Sequence, residues 1–470
     1  MNSEQSPKVI QAAAWYTVSN FMVRAMSFLT VSIFSRLMTK REFGDFSNFN
    51  VWVHLLSMAV FFALPVSINR ARFDYPNQLR EYSSSILLGC SGLTACFYAL
   101  VCWRMEFFQG VFSLSPFYIH VMFLYLLMYP SLDIFQNVQR VQYRYKISSA
   151  LSLGAAVGST VVSVILVLFM KDRFLARVMG LVVPTCMVFL ACYFYILWQG
   201  RSFRLSYFRY AFLYSWPFVP HSLSNYVLAA SDRLMIERFS GSEDVAVYTI
   251  ACNCASIASL FLTSLNTAVA PWVFEKLDEN DKETLYRFTF PYMAVFLFPM
   301  LLILLLAPEA VWIMGGRAYA ESLDCVTPLL ISVVIQFAYC MYVNVEQYSK
   351  KTWAIATGTM IAASVNVGLN YYFIPRFGYQ VAAYTTLTGY GVLFAVHFIF
   401  VRMLGYKKVY NDKLILLILG IALLVQPLLT VLYRLTVLRY SITIAYCGIS
   451  AALLYRNRET LLPLLTRKSA

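Results

Sequence analysis

The chain has 470 residues, 60% of them hydrophobic and only 13% charged, with a mean hydropathy of +0.64, whereas soluble domains carry about 25% charged residues. The apolar residues come in long unbroken stretches rather than amphipathic stripes, which excludes a large water-soluble core. The net charge of +14 is spread along the chain instead of clustering on one soluble face, which excludes a nucleic-acid surface.

Runs of about 20 apolar residues match the hydrocarbon thickness of a bilayer, where only helices or closed barrels satisfy the backbone; this run length selects helices. In chain order the predicted spans are 12–36, 49–69, 84–103, 116–136, 148–169 and 176–198. The next six are 212–236, 246–271, 288–307, 325–345, 354–374 and 379–401, and two more follow at 413–432 and 438–455. The first span is too long for a signal peptide, lacks a small-residue cleavage site and carries Arg24 at its middle, so it is expected to stay attached. The longest predicted loop runs from Pro308 to Asp324, which leaves no room for an extramembrane catalytic domain; an enzyme is not expected. The ten cysteines fall singly, mostly inside apolar runs, and the four histidines (His54, His120, His221 and His397) are scattered. Neither pattern has the spacing of a disulfide framework or a metal site. No cofactor is expected.

Positive residues concentrate in cytoplasmic loops. With the N-terminus inside, 23 of the 37 Lys and Arg fall in inner segments and 13 in outer ones. This bias predicts an even number of spans with both termini cytoplasmic.

An internal repeat sets the architecture. Arg36-Leu37-Met38 followed by Phe43-Gly44-Asp45-Phe46-Ser47 links spans one and two. Arg238-Phe239-Ser240 followed by Val245-Ala246-Val247-Tyr248-Thr249 links spans seven and eight, 202 positions later. Gln142-Tyr143 with Lys146 likewise matches Gln347-Tyr348 with Lys351, 205 positions later. Six spans separate the copies, so the halves insert the same way up. The expected fold is an all-α membrane protein of about 14 transmembrane helices, with two parallel six-helix lobes around a central cavity and two extra C-terminal helices. The lobes would occupy 1–205 and 206–405, and the added pair 406–470.

Arg24 lies near the bilayer midplane, where an arginine costs about 2.5 to 3.5 kcal/mol and should face protein or water. One reading is a cavity cation that grips an anionic headgroup through its planar fork of donors; the other is a structural contact between helices. Asp232 and Arg233 sit near the outer end of span seven, where they either line the cavity or tie helices together, with snorkelling to the interface open to both. Asp133, Gln136, Gln139 and Arg140 close span four, and Asn344, Glu346 and Gln347 close span ten. Their equivalent places predict a symmetric inner vestibule, although basic inner loops follow from topology alone. Trp216-Pro217-Phe218-Val219-Pro220 must break the backbone hydrogen bonding of span seven, and Pro65, Pro130, Pro184 and Pro271 add bends. Most of the 33 Tyr, 37 Phe and 8 Trp suit the two interfacial belts.

The stretch from Pro217 to Ala251, with Asp232-Arg233-Leu234-Met235-Ile236, Gly241 and Tyr248, resembles the pattern of polysaccharide flippases, as does Arg36-Leu37 with Phe43-Gly44. It departs from that pattern at Val245-Ala246-Val247, where a glycine is usual before the tyrosine. The resemblance is to the O-antigen (Wzx-type) translocases of the multidrug, oligosaccharidyl-lipid and polysaccharide exporter superfamily. It implies a flippase that carries an undecaprenyl-pyrophosphate-linked oligosaccharide across a bacterial inner membrane; membrane lipids, a polysaccharide polymerase and a coupling proton or sodium ion are candidate partners, with the energy source open among proton, sodium, membrane potential and pull from downstream use. Arg24 fits that cargo, because a cationic cavity lowers the barrier to moving a pyrophosphate through a low-dielectric core. A cation-coupled drug exporter, a membrane polymerase or glycosyltransferase, and an assembly scaffold are the alternatives.

Overall fold

A computed structural model describes residues 22–142 and 144–456. Among them the chain is helical throughout, with no strand. The first lobe contains α1 (22–37), α2 (Lys40–Phe61), α3 (Ile68–Asp74), α4 (Leu79–Trp103), α5 (Met105–Phe112), α6 (Pro116–Val141), α7 (Tyr145–Phe169) and α8 (Arg173–Gly200). After α9 (Leu205–Ser215), the second contains α10 (Phe218–Phe239), α11 (Ser242–Asp278), α12 (Lys282–Leu305), α13 (Ala307–Gly315), α14 (Leu323–Tyr348), α15 (Thr352–Phe377) and α16 (Val381–Met403). The added pair is α17 (Asp412–Arg434) and α18 (Thr436–Arg456). Each of the 14 predicted spans falls on one of these helices or on a broken pair, and residues 12–21 of the first span lie outside the described residues.

Local sequence explains the breaks. Thr39 and Glu42 form a reciprocal capping box that starts α2, satisfying orphan amides at its first turn. Span two breaks where Phe62 and Ala63 both adopt positive φ (47° and 52°), just ahead of Pro65, so α2 and the following turn and helix meet at 53°. Span seven breaks at Trp216-Pro217, as its prolines predict, between α9 and α10. Pro130, Pro184 and Pro271 instead sit inside continuous helices. The segment predicted as the longest loop is largely helical, because α13 and a 3-10 turn (Arg317–Ser322) pack against neighbouring helices.

Two apolar cores form, one in the first lobe together with Tyr207 and Ala211 of α9, the other in the second lobe and reaching across to Phe34, Met38, Phe43, Val167 and Ala176 of the first, while large apolar side chains such as Phe169, Met187 and Leu424 stay exposed toward where lipid would lie. We call the end carrying the α1–α2 and α10–α11 turns the upper end. There the lobes meet along the repeat itself. Ser47 and Thr249, equivalent residues 202 positions apart, share a hydrogen bond of 2.8 Å. Gly44 lies so close to the Ser242 carbonyl that a Cβ would fall 1.7 Å from its oxygen. Ser242 also donates to Asp45, and Arg36 and Ser32 donate to the carbonyls of Trp312 and Ile313. These contacts close the upper end.

Candidate functional site

Among the described residues, nine helices are long and apolar enough to cross a membrane, and α2 with its broken continuation makes a tenth. Both α10 and α15 fall short, and the reason is polar side chains in their middles: His221, Asn225, Asp232 and Arg233 on one, Asn366 and Asn370 on the other. In lipid such residues must face protein or water. The structure divides them between a dry network and a cavity.

Asp232 belongs to the dry network and is 2% exposed. Tyr248 of α11 and Asn370 of α15 donate to its carboxyl oxygens, each at 2.6 Å, and Thr386 of α16 is a third donor. Thr385 then donates to Asn370. The structure therefore corrects any snorkelling of Asp232: three neighbouring helices supply its partners, so it has no need to reach an interface.

Arg233 points the other way. It lines a cavity of about 290 Å³ with Met26, Ser27 and Thr30 of α1, Ser47 and Asn50 of α2, and Thr249 and Asn253 of α11. Its Nε is buried without a partner. A second cavity of about 340 Å³ shares Asn50, Ala156, Ser159 and Leu181 with the first and continues toward the lower end past His54, Tyr129, Asp133 and Gln136. The two form one polar passage that begins between the lobes and continues along the inner face of the first.

Lining the same upper cavity is Arg177, at the start of the sixth predicted span. Asp172 caps α8 through the Leu175 amide at 2.9 Å, so the helix starts early and carries Arg177 one turn inside. The guanidinium is sandwiched between Phe34 and Phe46, 4.1 and 4.3 Å from their ring centroids, and donates to Ser163 of α7 at 2.6 Å. Such desolvated cation–π contacts contribute about 2 kcal/mol. Four helices thus hold one cation in place, with its Nε unpartnered. The N-cap Asp172, five residues ahead of Arg177, is the sequence feature that places this cation one turn inside the helix.

Arg24 is exposed on α1, two positions before Met26, with no ion-pair partner among the described residues. The symmetric vestibule is not what the structure builds. Asp133 and Gln136 line the lower cavity, but Gln139 is buried on another face of α6 and Arg140 is exposed. In the second lobe, Asn344 is buried and donates to Asn266 at 2.8 Å. Glu346 is fully enclosed, with both carboxyl oxygens 2.8 Å from His397 Nδ1. The physical reason is that a buried histidine on α16 satisfies the carboxyl that would otherwise need water.

The passage is lined by cations, amides, hydroxyls and aromatic rings, with Asp133 as a carboxylate toward its lower part. That suits an anionic, hydroxyl-rich solute. The family model described as "Polysaccharide biosynthesis protein" matches residues 9–276, and the MatE model matches 217–372. Two Haemophilus influenzae proteins are similar to the chain: an "Uncharacterized membrane protein", 21% identical, and "Lsg locus putative protein 1", 20% identical. Each match spans 77% of this chain, and 89% and 90% of those proteins respectively. In fold, the chain is similar to the lipid II flippase MurJ in an inward closed conformation, with a TM-score of 0.70 at 13% identity over 94% of this chain and 99% of that one. It is also similar to an inward-facing multidrug resistance MATE family transporter of the MOP superfamily, with a TM-score of 0.54 at 13% identity over 82% and 94%. With a family model matched over more than half its length, this multi-pass membrane chain belongs to the polysaccharide biosynthesis protein family, the flippase-type transporters of the multidrug, oligosaccharidyl-lipid and polysaccharide exporter superfamily.

Proposed function

We propose that the protein flips an undecaprenyl-pyrophosphate-linked oligosaccharide across the bacterial inner membrane by rocking its two lobes, 1–205 and 206–405, about the passage between them. The observation that carries this reading is the pair of guanidinium groups, Arg177 from the first lobe and Arg233 from the second, facing one polar cavity. Planar arginine forks match pyrophosphate oxygens, and a cationic wall offsets the cost of bringing that charge into a low-dielectric core. Arg24, within a turn of Met26 and Ser27, adds a third cation on the route. The hydroxyls, amides and rings below take the glycan while the polyprenyl tail stays in lipid. In this reading the closed upper end is the outer one, both termini are cytoplasmic, and a proton or sodium ion couples the cycle.

A drug exporter for cationic solutes would favour carboxylates where this cavity presents arginines. The test is complementation of a deletion strain. Arg233→Ala and Arg24→Ala should insert normally yet abolish surface polysaccharide and accumulate the lipid-linked unit in the inner leaflet; the Lys versions should restore it only in part, because the fork is lost. Normal surface polysaccharide in both alanine variants, or a deletion strain that is drug-sensitive with unchanged polysaccharide, would overturn the reading.

A further inference from the structure

On the lower rim of the first lobe, away from the passage, the start of α4 meets the ends of α6 and α8 around a pocket of about 330 Å³. Its polar lining is Arg80, Ser83, Gln139, Gln142, Arg144 and Gln199, and none of these lines the passage. Arg80 and Arg144 are exposed and lack an ion-pair partner among the described residues, unlike Arg204 nearby, which pairs with Glu81 at 2.7 Å. The Arg144 amide donates to the Gln139 carbonyl at 2.9 Å, so the turn after α6 folds back and Arg144 lines the same pocket as Gln139. Gln139 is 4% exposed and its Oε1 has no partner. A buried acceptor without a donor, in a pocket with two cations that have no ion-pair partner among the described residues, suits a ligand that offers a hydroxyl as well as an anionic group.

The pocket does not end there. Gln139, Arg144, Phe135 and Tyr195 also line a second pocket of about 530 Å³ that continues between α6, α7 and α8 over Ile147, Leu151 and Met187. Ile147 is 50% exposed and Met187 68%, so this apolar groove opens to the bilayer. A cationic, amide-lined head site running into an apolar groove at the membrane surface fits an amphiphile with a negative headgroup. Basic pockets between transmembrane helices bind anionic lipid headgroups by the same physics. The equivalent rim of the second lobe is also basic, with Lys282, Arg402, Lys407, Lys408 and Lys413, but it mixes in acidic side chains and has no apolar groove in its lining. Lys282 stands 202 positions after Arg80, but its pocket also holds Glu283 and Asp412, and Asp412 pairs with Arg402 at 2.7 Å.

We propose that this rim binds an anionic glycerophospholipid, its phosphate on Arg80 and Arg144 and an acyl chain in the groove over Leu151 and Met187. Bound there, the lipid ties the ends of three helices of the first lobe together, independently of the cargo.

The test uses the purified full chain in detergent, titrated with phosphatidylglycerol, phosphatidylcholine, a polyprenyl phosphate and inorganic phosphate, with bound lipid read by native mass spectrometry and stability by thermal unfolding. Phosphatidylglycerol should bind in preference to the other three and raise the unfolding midpoint. Arg80→Ala with Arg144→Ala should weaken that binding by roughly tenfold or more. Ala191→Trp, which fills the groove from an exposed position on α8, should weaken it with both cations intact. Equal binding of phosphatidylcholine, equal displacement by inorganic phosphate, preference for the polyprenyl phosphate, or unchanged binding in the folded variants would each overturn the proposal.

Discussion

Asp232 and Arg233 are neighbours on one helix and live in different media. Asp232 faces back into the second lobe, where Tyr248, Asn370 and Thr386 all donate to it. Arg233 faces forward into the passage, with its Nε unpaired. Inside a membrane a charged residue must be satisfied by protein or kept wet, and α10 uses both solutions one residue apart. The difference teaches that polarity in a span marks protein or water contact without saying which. The helix places one on each side because successive residues are turned by about 100°.

The sharpest way to break this comparison is to remove each side chain. Asp232→Ala strands three buried donors, each costing roughly 1 to 3 kcal/mol, so the unfolding midpoint in detergent should drop steeply and expressed protein should fall. Arg233→Ala removes a cavity side chain whose Nε has no partner, so stability should stay within about 0.5 kcal/mol while transport is lost. Equal destabilisation by the two would show that α10 does not separate dry from wet.

Much of the fold was legible because bilayer thickness and backbone satisfaction leave few options: every predicted span lands on a helix or a broken pair, and the repeat read from Phe43 to Ser47 reappears as the Ser47–Thr249 contact across the lobes. The site was less legible. Arg177 stands at the edge of a predicted span, close to Lys171 and Arg173, where a basic residue can serve either the interface or the interior, and only the helix started by Asp172 turns it inward. Glu346 looked like vestibule because nothing in a linear sequence brings His397, 51 positions on, to within 2.8 Å. Pairings between helices decide whether a polar residue is wet, and those are tertiary facts.

Gly44 tests the closed upper end. A methyl there would fall 1.7 Å from backbone that cannot move as a side chain can, so Gly44→Ala should cost about 1 to 3 kcal/mol by overpacking. It should also loosen the seam between the lobes, so that a cysteine placed at Asn253 reacts faster with a membrane-impermeant thiol reagent added from outside. Unchanged labelling would show that this seam does not seal the passage. In the second lobe, Glu346→Gln and His397→Gln should each destabilise, and their double-mutant cycle should leave a coupling of about 0.5 to 3 kcal/mol; additive effects would mean that the buried contact contributes nothing of its own.

The smallest effect concerns a charge pair that stays partly wet, in contrast to Asp232. Arg439 of α18, 3% exposed, donates to Glu309 of α13 and to the Leu305 carbonyl, which fastens the added helices to the upper end of the second lobe. The Arg439 hydrogen bond holds the Glu309 carboxyl below its usual range, with Tyr440 adding to the effect. A depressed folded-state pKa contributes stability above the unfolded value of about 4.3 and loses it as pH falls through the folded value. Wild type should therefore exceed Glu309→Gln in unfolding midpoint by a small margin at pH 7, and the margin should shrink as the pH drops below about 4. Solvent screening at a partly exposed carboxyl keeps that margin modest, and a gap that widened in acid would show that the pair does not anchor α18 through its charge.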